Sequence, residues 1–504
     1  MDTMRPTSQV QDIKQWAKSR ICEDEYTRYM NNGQSFINDA RITHTLQAQR
    51  HPEAERVEDI LQKSLSIQTL TLEETAILLN VTDPVLRTRM EEVAGQIKQQ
   101  VYDNRIVTFA PLYLGNLCVN ECAYCGFRCS NKKLDRSVLS LDQVKRETEV
   151  LAGQIGHKRL IVVYGEHPSM DVQYMVDSIK TIGDVRVKTR RGAWSQIHRC
   201  NVNAPPLQID ELKRLKEVGI GTFQVFQETY HRTTYARVHP RHTIKGHYLW
   251  RLYSMHRAME AGVDDVGIGA LFGLYDWRFE VMSLIAHAIE LEQRFGVGPH
   301  TISFPRIEDV PNTPFVKQTD WKVDDDSFKK LVTVIRLAVP HTGMILTARE
   351  SAEVRRQVLP LGCTQMDASS RIGLCSYDKD VEDQDKQTQQ FILGDTRSLD
   401  TVIRELAEAG YITSFCTAGY RCGRTGSRIM ELLKCGKEGN FCKLNAVITY
   451  REWLDDFASP ETKVAGEKVI AQEIELIRET LPDVYEHFMT YYQKTQGGER
   501  DLFF

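Results

Sequence analysis

The sequence predicts an α/β protein built on a (β/α)8 barrel, with a helical N-terminal extension and a C-terminal, mostly helical domain. Between about residues 105 and 370, eight short β-branched runs alternate with helical stretches, which is the order that a parallel barrel requires. In the extension, apolar residues recur at intervals of three and four, the period of an amphipathic helix. An open, doubly wound sheet is the alternative, because periodicity does not show whether a sheet closes.

The helical extension is predicted over residues 1–100. In "RVEDILQKSLSIQTLTLEETAILLNVTDPVLRTRMEEVAGQIKQQVY" the Leu, Ile and Val residues are spaced at three and four. Thr71 begins the pattern T-L-E-E, in which a threonine and a glutamate three residues later cap the start of a helix. The opening stretch "MDTMRPTSQVQDIKQWAKSR" lacks the apolar core of a secretory signal.

The barrel is predicted over residues 101–375. Its candidate strands are, in chain order, "IVTFAPLYL", "RLIVVY", "QIHRCNV", "GTFQVF", "DVGIGA", "HTISF", "GMILT" and "CTQMD". Between them lie predicted helices such as "LDQVKRETEVLAGQI", "QIDELKRLKEV", "YLWRLYSMHRAMEA" and "RFEVMSLIAHAIELEQRF". Enzymes with this fold build their sites on the loops that follow the strands.

The C-terminal domain is predicted over residues 376–504. The charge-dense stretch "DKDVEDQDKQTQQ" near its start is interpreted as a surface loop. A helix, "SLDTVIRELAEAG", comes next. A cysteine- and glycine-rich segment at 415–442 and a final helical region complete the domain.

Composition and charge limit the classes of protein to which this chain is expected to belong. With 64 basic and 68 acidic residues the net charge is −4, so no nucleic-acid or membrane-surface partner is expected. No apolar run approaches the roughly 20 residues of a membrane span, and a cytoplasmic location is expected. Twelve cysteines in such a chain indicate metal or redox chemistry rather than disulfides.

Three of these cysteines lie directly after the first predicted strand, in "APLYLGNLCVNECAYCGFRC". Cys118, Cys122 and Cys125 are spaced C-x3-C-x2-C. Cubane iron–sulfur clusters usually take four thiolates, so three leave one iron open to chelate S-adenosylmethionine for radical chemistry. Tyr124 is predicted to cover the adenine side, and Cys129 lies outside the spacing. A zinc site is the alternative, although structural zinc sites need four ligands.

With this motif, the chain resembles the tyrosine lyase branch of the radical SAM superfamily, to which the [FeFe]-hydrogenase maturase HydG and the 2-iminoacetate synthase ThiH belong. The resemblance runs through blocks such as "GHKRLIVVYGEHP", "FQVFQETYHRTTYARVHP", "RAMEAGVDDVGIGALFGLYDWRFEV" and "GYITSFCTAGYRCGRTGSRIM". It implies a [4Fe-4S] cluster and S-adenosylmethionine as cofactors. It further implies an amino-acid substrate whose Cα–Cβ bond breaks, classically L-tyrosine giving p-cresol and dehydroglycine, and ferredoxin or flavodoxin as electron donor.

The resemblance also implies which residues hold S-adenosylmethionine. Gly165 and Glu166 match a pair that meets its amino group, for which a carboxylate is a suitable partner. Glu228 matches a residue that contacts the ribose. Gly267 and Gly269 match a segment beside the adenine, where small residues allow close approach of the backbone. The alternative for each glycine is an ordinary turn at a strand end.

Three residues are expected to face the substrate. Arg349 in "LTARE" matches an arginine that grips the substrate carboxylate, and Arg306 in "FPR" is a second candidate. The alternative for Arg349 is a salt bridge with Glu350 or Glu353 at the barrel rim. Asp367 stands where the resemblance implies a serine. An ion pair with Arg349 would neutralise the grip, and a free carboxylate would repel the substrate, so the substrate is turned or different. The alternative is a rim residue pointing to solvent.

The C-terminal cysteines depart from the HydG pattern of C-x2-C followed by a third cysteine after a 22-residue gap. Cys416 and Cys442 occupy the outer positions, but Gly419 stands in the middle one. Cys422 or Cys435 are possible replacements, and a relic of the auxiliary cluster site is the favoured interpretation. Two alternatives to a simple lyase follow: a full maturase that makes carbon monoxide and cyanide, or a non-catalytic scaffold. The intact S-adenosylmethionine set argues against the scaffold.

Overall fold

The computed structural model describes residues 13–310, 312–378, 389–423, 426–434 and 438–504. Its strands are β1 Arg105–Tyr113, β2 Arg159–Val163, β3 Val187–Lys188, β4 Trp194–Ser195, β5 Arg199–Asn203, β6 Phe223–Gln224, β7 Val266–Gly269, β8 Thr301–Ser303, β9 Gly343–Leu346, β10 Gln365–Asp367 and β11 Ile412–Ser414. Eight of them pair in parallel in the order β1-β2-β5-β6-β7-β8-β9-β10. β10 pairs back with β1, where Thr108 faces Met366. The sheet is therefore a closed barrel, and the open-sheet alternative is wrong.

All eight predicted barrel strands are confirmed, and two features were not predicted. One is the antiparallel hairpin of β3 and β4 between α8, defined below, and β5. The other is β11, a parallel strand that pairs with the first residues of β1, Arg105 facing Ile412. Both consist of strands of two or three residues, which are too short to show a period-two pattern.

The N-terminal extension is helical, as predicted. Its helices are α1 Ile13–Ser19, α2 Asp24–Thr27, α3 Asp39–Ala48, α4 Ala54–Leu65, α5 Leu72–Asn80 and α6 Pro84–Tyr102. The predicted cap at Thr71 is present: its side chain accepts from the backbone N–H of Glu74, whose carboxylate accepts from the N–H of Thr71.

Ten helices surround the barrel among the described residues. They are α7 Leu141–Val150, α8 Val172–Asp184, α9 Ile209–Glu217, α10 Arg232–Val238, α11 Tyr248–Leu252, α12 Ser254–Glu260, α13 Trp277–Phe295, α14 Pro314–Gln318, α15 Asp325–Ala338 and α16 Ala352–Val358. One helix predicted as continuous is divided at Tyr253, and the helix predicted to run from α7 to residue 155 ends in the π-helical turn Leu151–Ile155.

The C-terminal region contains α17 Leu399–Glu408, α18 Ala418–Arg421, α19 Gly426–Lys434, α20 Glu438–Asp456, α21 Pro460–Thr480 and α22 Pro482–Gln496. The predicted surface loop "DKDVEDQDKQTQQ" lies mostly outside the described residues. One apolar core extends through extension, barrel and C-terminal region, so the divisions at residues 100 and 375 stay predictions. In the part of the chain described, every helix is too short or too polar to cross a membrane.

Candidate active site at the carboxyl ends of the barrel strands

A cavity of about 230 Å³ opens at the carboxyl ends of the barrel strands. Apolar side chains such as Phe109, Ile161 and Phe391 form part of its wall. It brings together most of the residues that the sequence singled out: Cys118, Cys122, Tyr124, Cys125, Gly165, Glu166, Glu228, Arg349 and Asp367. The predicted cofactor and substrate residues therefore share one enclosure, on the face of the barrel where this fold carries its sites.

The cysteine loop lies directly against the end of β2, and Gly165 makes this possible. A Cβ atom at Gly165 would lie 2.2 Å from the carbonyl oxygen of Leu117. The N–H of Val119 donates to the carbonyl oxygen of Glu166 at 2.9 Å. The absent side chain thus allows the close approach of two backbones, and it sets the loop beside Glu166.

The three thiols of this loop line the cavity together. Burial raises the pKa of Cys118, and it raises the pKa of Cys122 to about 12. Polar hydrogens point at the sulfurs: the Asn120 Nδ2 lies 3.7 Å from Cys118 Sγ, and the N–H of Phe127 lies 3.4 Å from Cys125 Sγ. Such donors suit sulfurs that carry negative charge on iron.

The donor set fits a cluster better than one ion. Within the described ranges, no three His, Cys, Asp or Glu side chains converge closely enough to hold one metal ion. A cubane of four irons is larger than an ion, so three cysteines can bind it without converging on a point. This arrangement does not favour the zinc alternative.

Glu166 presents an unsatisfied acceptor beside the cysteine loop. Its Oε2 accepts from Asn120 Nδ2 at 2.5 Å, whereas its buried Oε1 has no hydrogen-bond partner among the described residues. Burial raises the pKa of this carboxyl. A buried acceptor without a partner is costly, and an ammonium group such as the amino group of S-adenosylmethionine would satisfy it.

Glu228 is held by two cations that the sequence reasoning missed. Its Oε1 lies 2.7 Å from Lys245 Nζ and 3.2 Å from Arg251 Nη2. Burial alone would raise the pKa of Glu228, but the charges of Lys245 and Arg251 outweigh it and lower that pKa. Lys245 and Arg251 follow α10 and belong to no motif, so only their closeness in the fold connects them with the site.

Tyr124 is fixed in place by a histidine. Its hydroxyl lies 2.8 Å from His239 Nε2, and its ring centroid lies 5.5 Å from Lys245 Nζ. Burial raises the pKa of Tyr124 and lowers that of His239, so both stay neutral. The aromatic ring forms part of the cavity wall.

Gly267 and Gly269 do not line the cavity. A Cβ at Gly267 would lie 2.6 Å from Gln224 Cγ, and one at Gly269 would lie 2.6 Å from Phe226 Cδ1. Gln224 and Phe226 do line the cavity. The two glycines therefore make room for side chains of the neighbouring strand and its end, and their predicted direct contact with adenine is not favoured.

Arg349 carries a guanidinium that is open to a ligand. Its Cζ lies 3.4 Å from the centroid of the Phe391 ring. It has no ion pair or side-chain hydrogen bond within the described residues, so the salt bridge with Glu350 or Glu353 is absent. Burial lowers the pKa of Arg349, as expected for a cation without a partner.

Arg306, the second candidate for the substrate carboxylate, is not brought into the site. It lies outside the cavity lining. Its guanidinium forms ion pairs with Glu350 and, at 2.8 Å, with Asp325. The donors of Arg306 are therefore bound to these carboxylates. Arg306 forms a salt bridge at the barrel rim, which is the arrangement considered as the alternative role of Arg349.

Asp367 lines the cavity and does not pair with Arg349, so the ion pair that was one of the possibilities for this residue does not form. Its Oδ1 accepts from the N–H of Ala348 at 2.6 Å, and its Oδ2 accepts from Ser370 Oγ. The nearest guanidinium in the structure is that of Arg355, whose Nη2 lies 4.0 Å from Oδ1. Burial raises the pKa of Asp367. Its carboxylate therefore supports the backbone next to Arg349.

The C-terminal cysteines lie away from this cavity. Cys416 follows β11 and lies beside the buried guanidinium of Arg159, and the thiol of Cys422 donates to the carbonyl oxygen of Phe504 at 3.4 Å. Cys442 lies in α20. Cys435 lies outside the described residues. With Gly419 at the middle position of the pattern and Cys435 outside the described residues, the second cluster stays a prediction.

Comparisons with known proteins show which family this chain belongs to. Residues 112–283 match the radical SAM superfamily and residues 303–412 match the biotin and thiamin synthesis associated domain. The 2-iminoacetate synthase of Escherichia coli (strain K12) is 29% identical over 352 residues, which cover 69% of this chain and 88% of that protein.

Two solved structures are more similar still. A crystal structure of HydG, a maturase of the [FeFe]-hydrogenase, is 44% identical with a TM-score of 0.87, over 93% of this chain and 100% of that one. HydG from Carboxydothermus hydrogenoformans is 34% identical with a TM-score of 0.74, over 91% of this chain and 97% of that one. The chain therefore belongs to the radical SAM superfamily and, within it, to the HydG family, with a [4Fe-4S] cluster and S-adenosylmethionine as its cofactors.

Proposed function

We propose that this enzyme is a lyase that cleaves the Cα–Cβ bond of L-tyrosine or a related amino acid. With tyrosine the products are p-cresol and dehydroglycine. The observation that carries the proposal is the guanidinium of Arg349, which has no ion pair among the described residues and shares a cavity with the cysteine loop and Glu166. A planar guanidinium binds a carboxylate through two parallel hydrogen bonds, so it orients an amino acid toward the cofactors.

The cofactor side of the cavity is assigned as follows. Cys118, Cys122 and Cys125 hold the cluster, the free Oε1 of Glu166 accepts from the amino group of S-adenosylmethionine, and Glu228 accepts from its ribose. When bound, these cofactors supply a reductive one-electron cleavage whose radical product abstracts hydrogen from the substrate.

The substrate side depends on a rigid backbone and an apolar wall. Asp367 fixes the N–H of Ala348 and thereby the chain that carries Arg349. Phe391 stacks on the Arg349 guanidinium and restricts its orientation. Apolar residues such as Phe109 and Ile161 line the same space; they accept an aromatic side chain and exclude water, which strengthens the ionic contacts.

The external partners are part of the proposal. A ferredoxin or flavodoxin supplies the electron, because the reaction consumes a low-potential electron that no group of the chain itself provides. A cytoplasmic location is supported by the abundance of free cysteines, which a reducing compartment preserves.

The test is anaerobic reconstitution with iron and sulfide, followed by incubation with dithionite, S-adenosylmethionine and each aromatic amino acid. We expect 5′-deoxyadenosine together with p-cresol from tyrosine, or the equivalent fragment from a related amino acid. Cys118→Ala should lose both products. Arg349→Gln should lose the amino-acid fragment but retain slow formation of 5′-deoxyadenosine. A wild-type protein that binds the cluster yet never cleaves S-adenosylmethionine would point to the scaffold alternative.

A second candidate is a full maturase that converts dehydroglycine to carbon monoxide and cyanide. The similarity to HydG over 93% of the chain favours it, whereas Gly419 in place of a ligand disfavours it. Trapping of carbon monoxide by haemoglobin in the same incubation distinguishes the two.

A further inference from the structure

We infer that the outer face of the cysteine loop is the docking surface for the electron donor, and that this donor is an acidic protein carrying a one-electron carrier. The inference rests on the proposed function, which needs an electron at Cys118, Cys122 and Cys125. Five exposed cations define the surface, called here the basic ring: Lys132, Lys133, Arg237, Arg241 and Lys317.

Contacts among three segments hold the basic ring around the loop. The N–H of Ala123 donates to the carbonyl oxygen of Val238, next to Arg237. On the other side, the guanidinium of Arg128 donates to the carbonyl oxygen of Cys125 and to Thr313 Oγ1. Residues 231–247 and 312–318 are thereby attached to the two ends of the Cys122–Cys125 stretch.

Two further contacts hold cations of the basic ring near the cysteine loop. Arg237 Cζ lies 6.0 Å from the ring centroid of Phe315, two residues before Lys317 on α14. Lys132 donates to the carbonyl oxygen of Cys129 at 3.1 Å, which keeps it on the cysteine loop itself. The cations thus come from all three segments that contact one short stretch of backbone.

These charges have no counterpart within the described protein. None of the five forms an ion pair there, and all remain exposed. Residues 117–137, 231–247 and 309–318 together contain three acidic residues, Glu121, Asp135 and Asp309. The whole chain has a net charge of −4, so the positive face is local. An unpaired charge of one sign on a small face attracts a partner of the opposite sign and speeds its association.

The position also suits electron transfer from outside the protein. Cys118 and Cys125 are only partly buried, and Ala123 between them is also partly exposed. A protein seated on the basic ring therefore lies against the loop that holds the cluster.

The experiment measures 5′-deoxyadenosine formation against the concentration of reduced flavodoxin, an acidic carrier, at low ionic strength. Two charge-reversal variants change different parts of the ring: Lys132→Glu with Lys133→Glu, and Arg237→Glu with Lys317→Glu. The matched control, Lys180→Glu with Lys468→Glu, reverses two exposed lysines of α8 and α21 that have no ion pair among the described residues. Dithionite replaces flavodoxin in a parallel assay.

We expect the apparent KM for flavodoxin to rise about tenfold or more in both ring variants, with the difference shrinking as salt screens the charges. Rates with dithionite should stay at the wild-type value. If either ring variant keeps a flavodoxin KM within twofold of the control, the docking surface is wrong. Glutamine variants at the same positions should show a smaller effect of the same sign, and they replace any reversal variant that loads less iron. Failure of wild-type protein with dithionite would instead refute the proposed function.

Discussion

Asp367 holds the backbone from which Arg349 reaches the cavity. It accepts from the N–H of Ala348, the residue before Arg349, and from Ser370 Oγ. A serine-to-aspartate departure at this position therefore need not change the substrate, because the carboxylate is already bound within the protein. The sequence could only offer an ion pair between Asp367 and Arg349 as one possibility, because the direction of a side chain is not readable from a motif.

Substitution of Asp367 tests this supporting role. Asp367→Ala loses both hydrogen bonds, so the turn carrying Arg349 loosens, and kcat/KM for the amino acid should fall about tenfold, equivalent to about 1.4 kcal/mol. Asp367→Asn keeps an oxygen for Ala348 and should remain within about threefold of wild type. The measurement is p-cresol formation against tyrosine concentration. If Ala and Asn variants lose activity equally, the negative charge of Asp367 itself acts on the substrate.

Glu166 offers a second test at the scale of one residue. Glu166→Gln retains an oxygen that accepts from Asn120 but loses the charge that faces an ammonium group. Loss of a hydrogen bond to a charged group costs about 1.5–3 kcal/mol, so the affinity for S-adenosylmethionine should fall about 10- to 100-fold. Equilibrium binding to reconstituted protein measures the affinity, and iron content should stay unchanged. Unaltered affinity would remove Glu166 from the site.

Sequence could predict the members of the site that belong to a motif, and no others. Cys118, Glu166 and Arg349 each stand in a recognisable stretch at the end of a barrel strand. Lys245 and Arg251 hold Glu228 at 2.7 and 3.2 Å, yet they come from the region after α10 with no periodic or spaced signal. Their role depends on how the chain returns over the barrel mouth, which is a tertiary property.

At the scale of elements, the fit between the cysteine loop and β2 depends on one glycine. In Gly165→Ala the new Cβ would lie 2.2 Å from the carbonyl oxygen of Leu117, so the loop must move away from Glu166. We expect iron content after reconstitution to fall well below wild type. The control is Gly183→Ala in α8, where a Cβ meets nothing within 4 Å and should stabilise the helix by about 0.5–1 kcal/mol. Full iron loading in Gly165→Ala would show that the loop position tolerates the shift.

The barrel strands were predictable because each is a β-branched run between turn signals, as in β2 and β9. β11 was not predictable, since "ITS" is a run of only three residues directly after a predicted helix. Its strand conformation comes from pairing with β1, where Ile106 faces Thr413. The hairpin of β3 and β4 was not predicted for the same reason. The local sequence pattern is thus enough to predict strands that are long enough to bury one face. The conformation of shorter strands depends on the strand with which they pair.

At the scale of the whole molecule, the property to measure is the number of iron–sulfur clusters per chain. If the C-terminal site is a relic, reconstituted protein should contain about four irons per chain. Cys416→Ala and Cys442→Ala should then leave amino-acid cleavage unchanged, with glyoxylate as the hydrolysis product and no carbon monoxide. Iron analysis and haemoglobin trapping make the measurement.

The contrary outcome is equally specific. Iron well above four per chain, with carbon monoxide that disappears in Cys416→Ala, would mean that Cys422 or another group replaces the missing ligand at Gly419. The contact between Cys422 and Phe504 would then have to open when the second cluster forms, and the enzyme would be a complete maturase.

β11 has a consequence for how this chain can be divided. β11 pairs with the first residues of β1. β1 also closes the barrel by pairing with β10, and it leads into the cysteine loop. A shortened chain that stops before β11 would leave part of an inner strand as an open edge, which invites aggregation. The C-terminal region is therefore not a detachable module, and a truncated protein that fails to cleave its substrate would report a damaged barrel rather than a missing auxiliary activity.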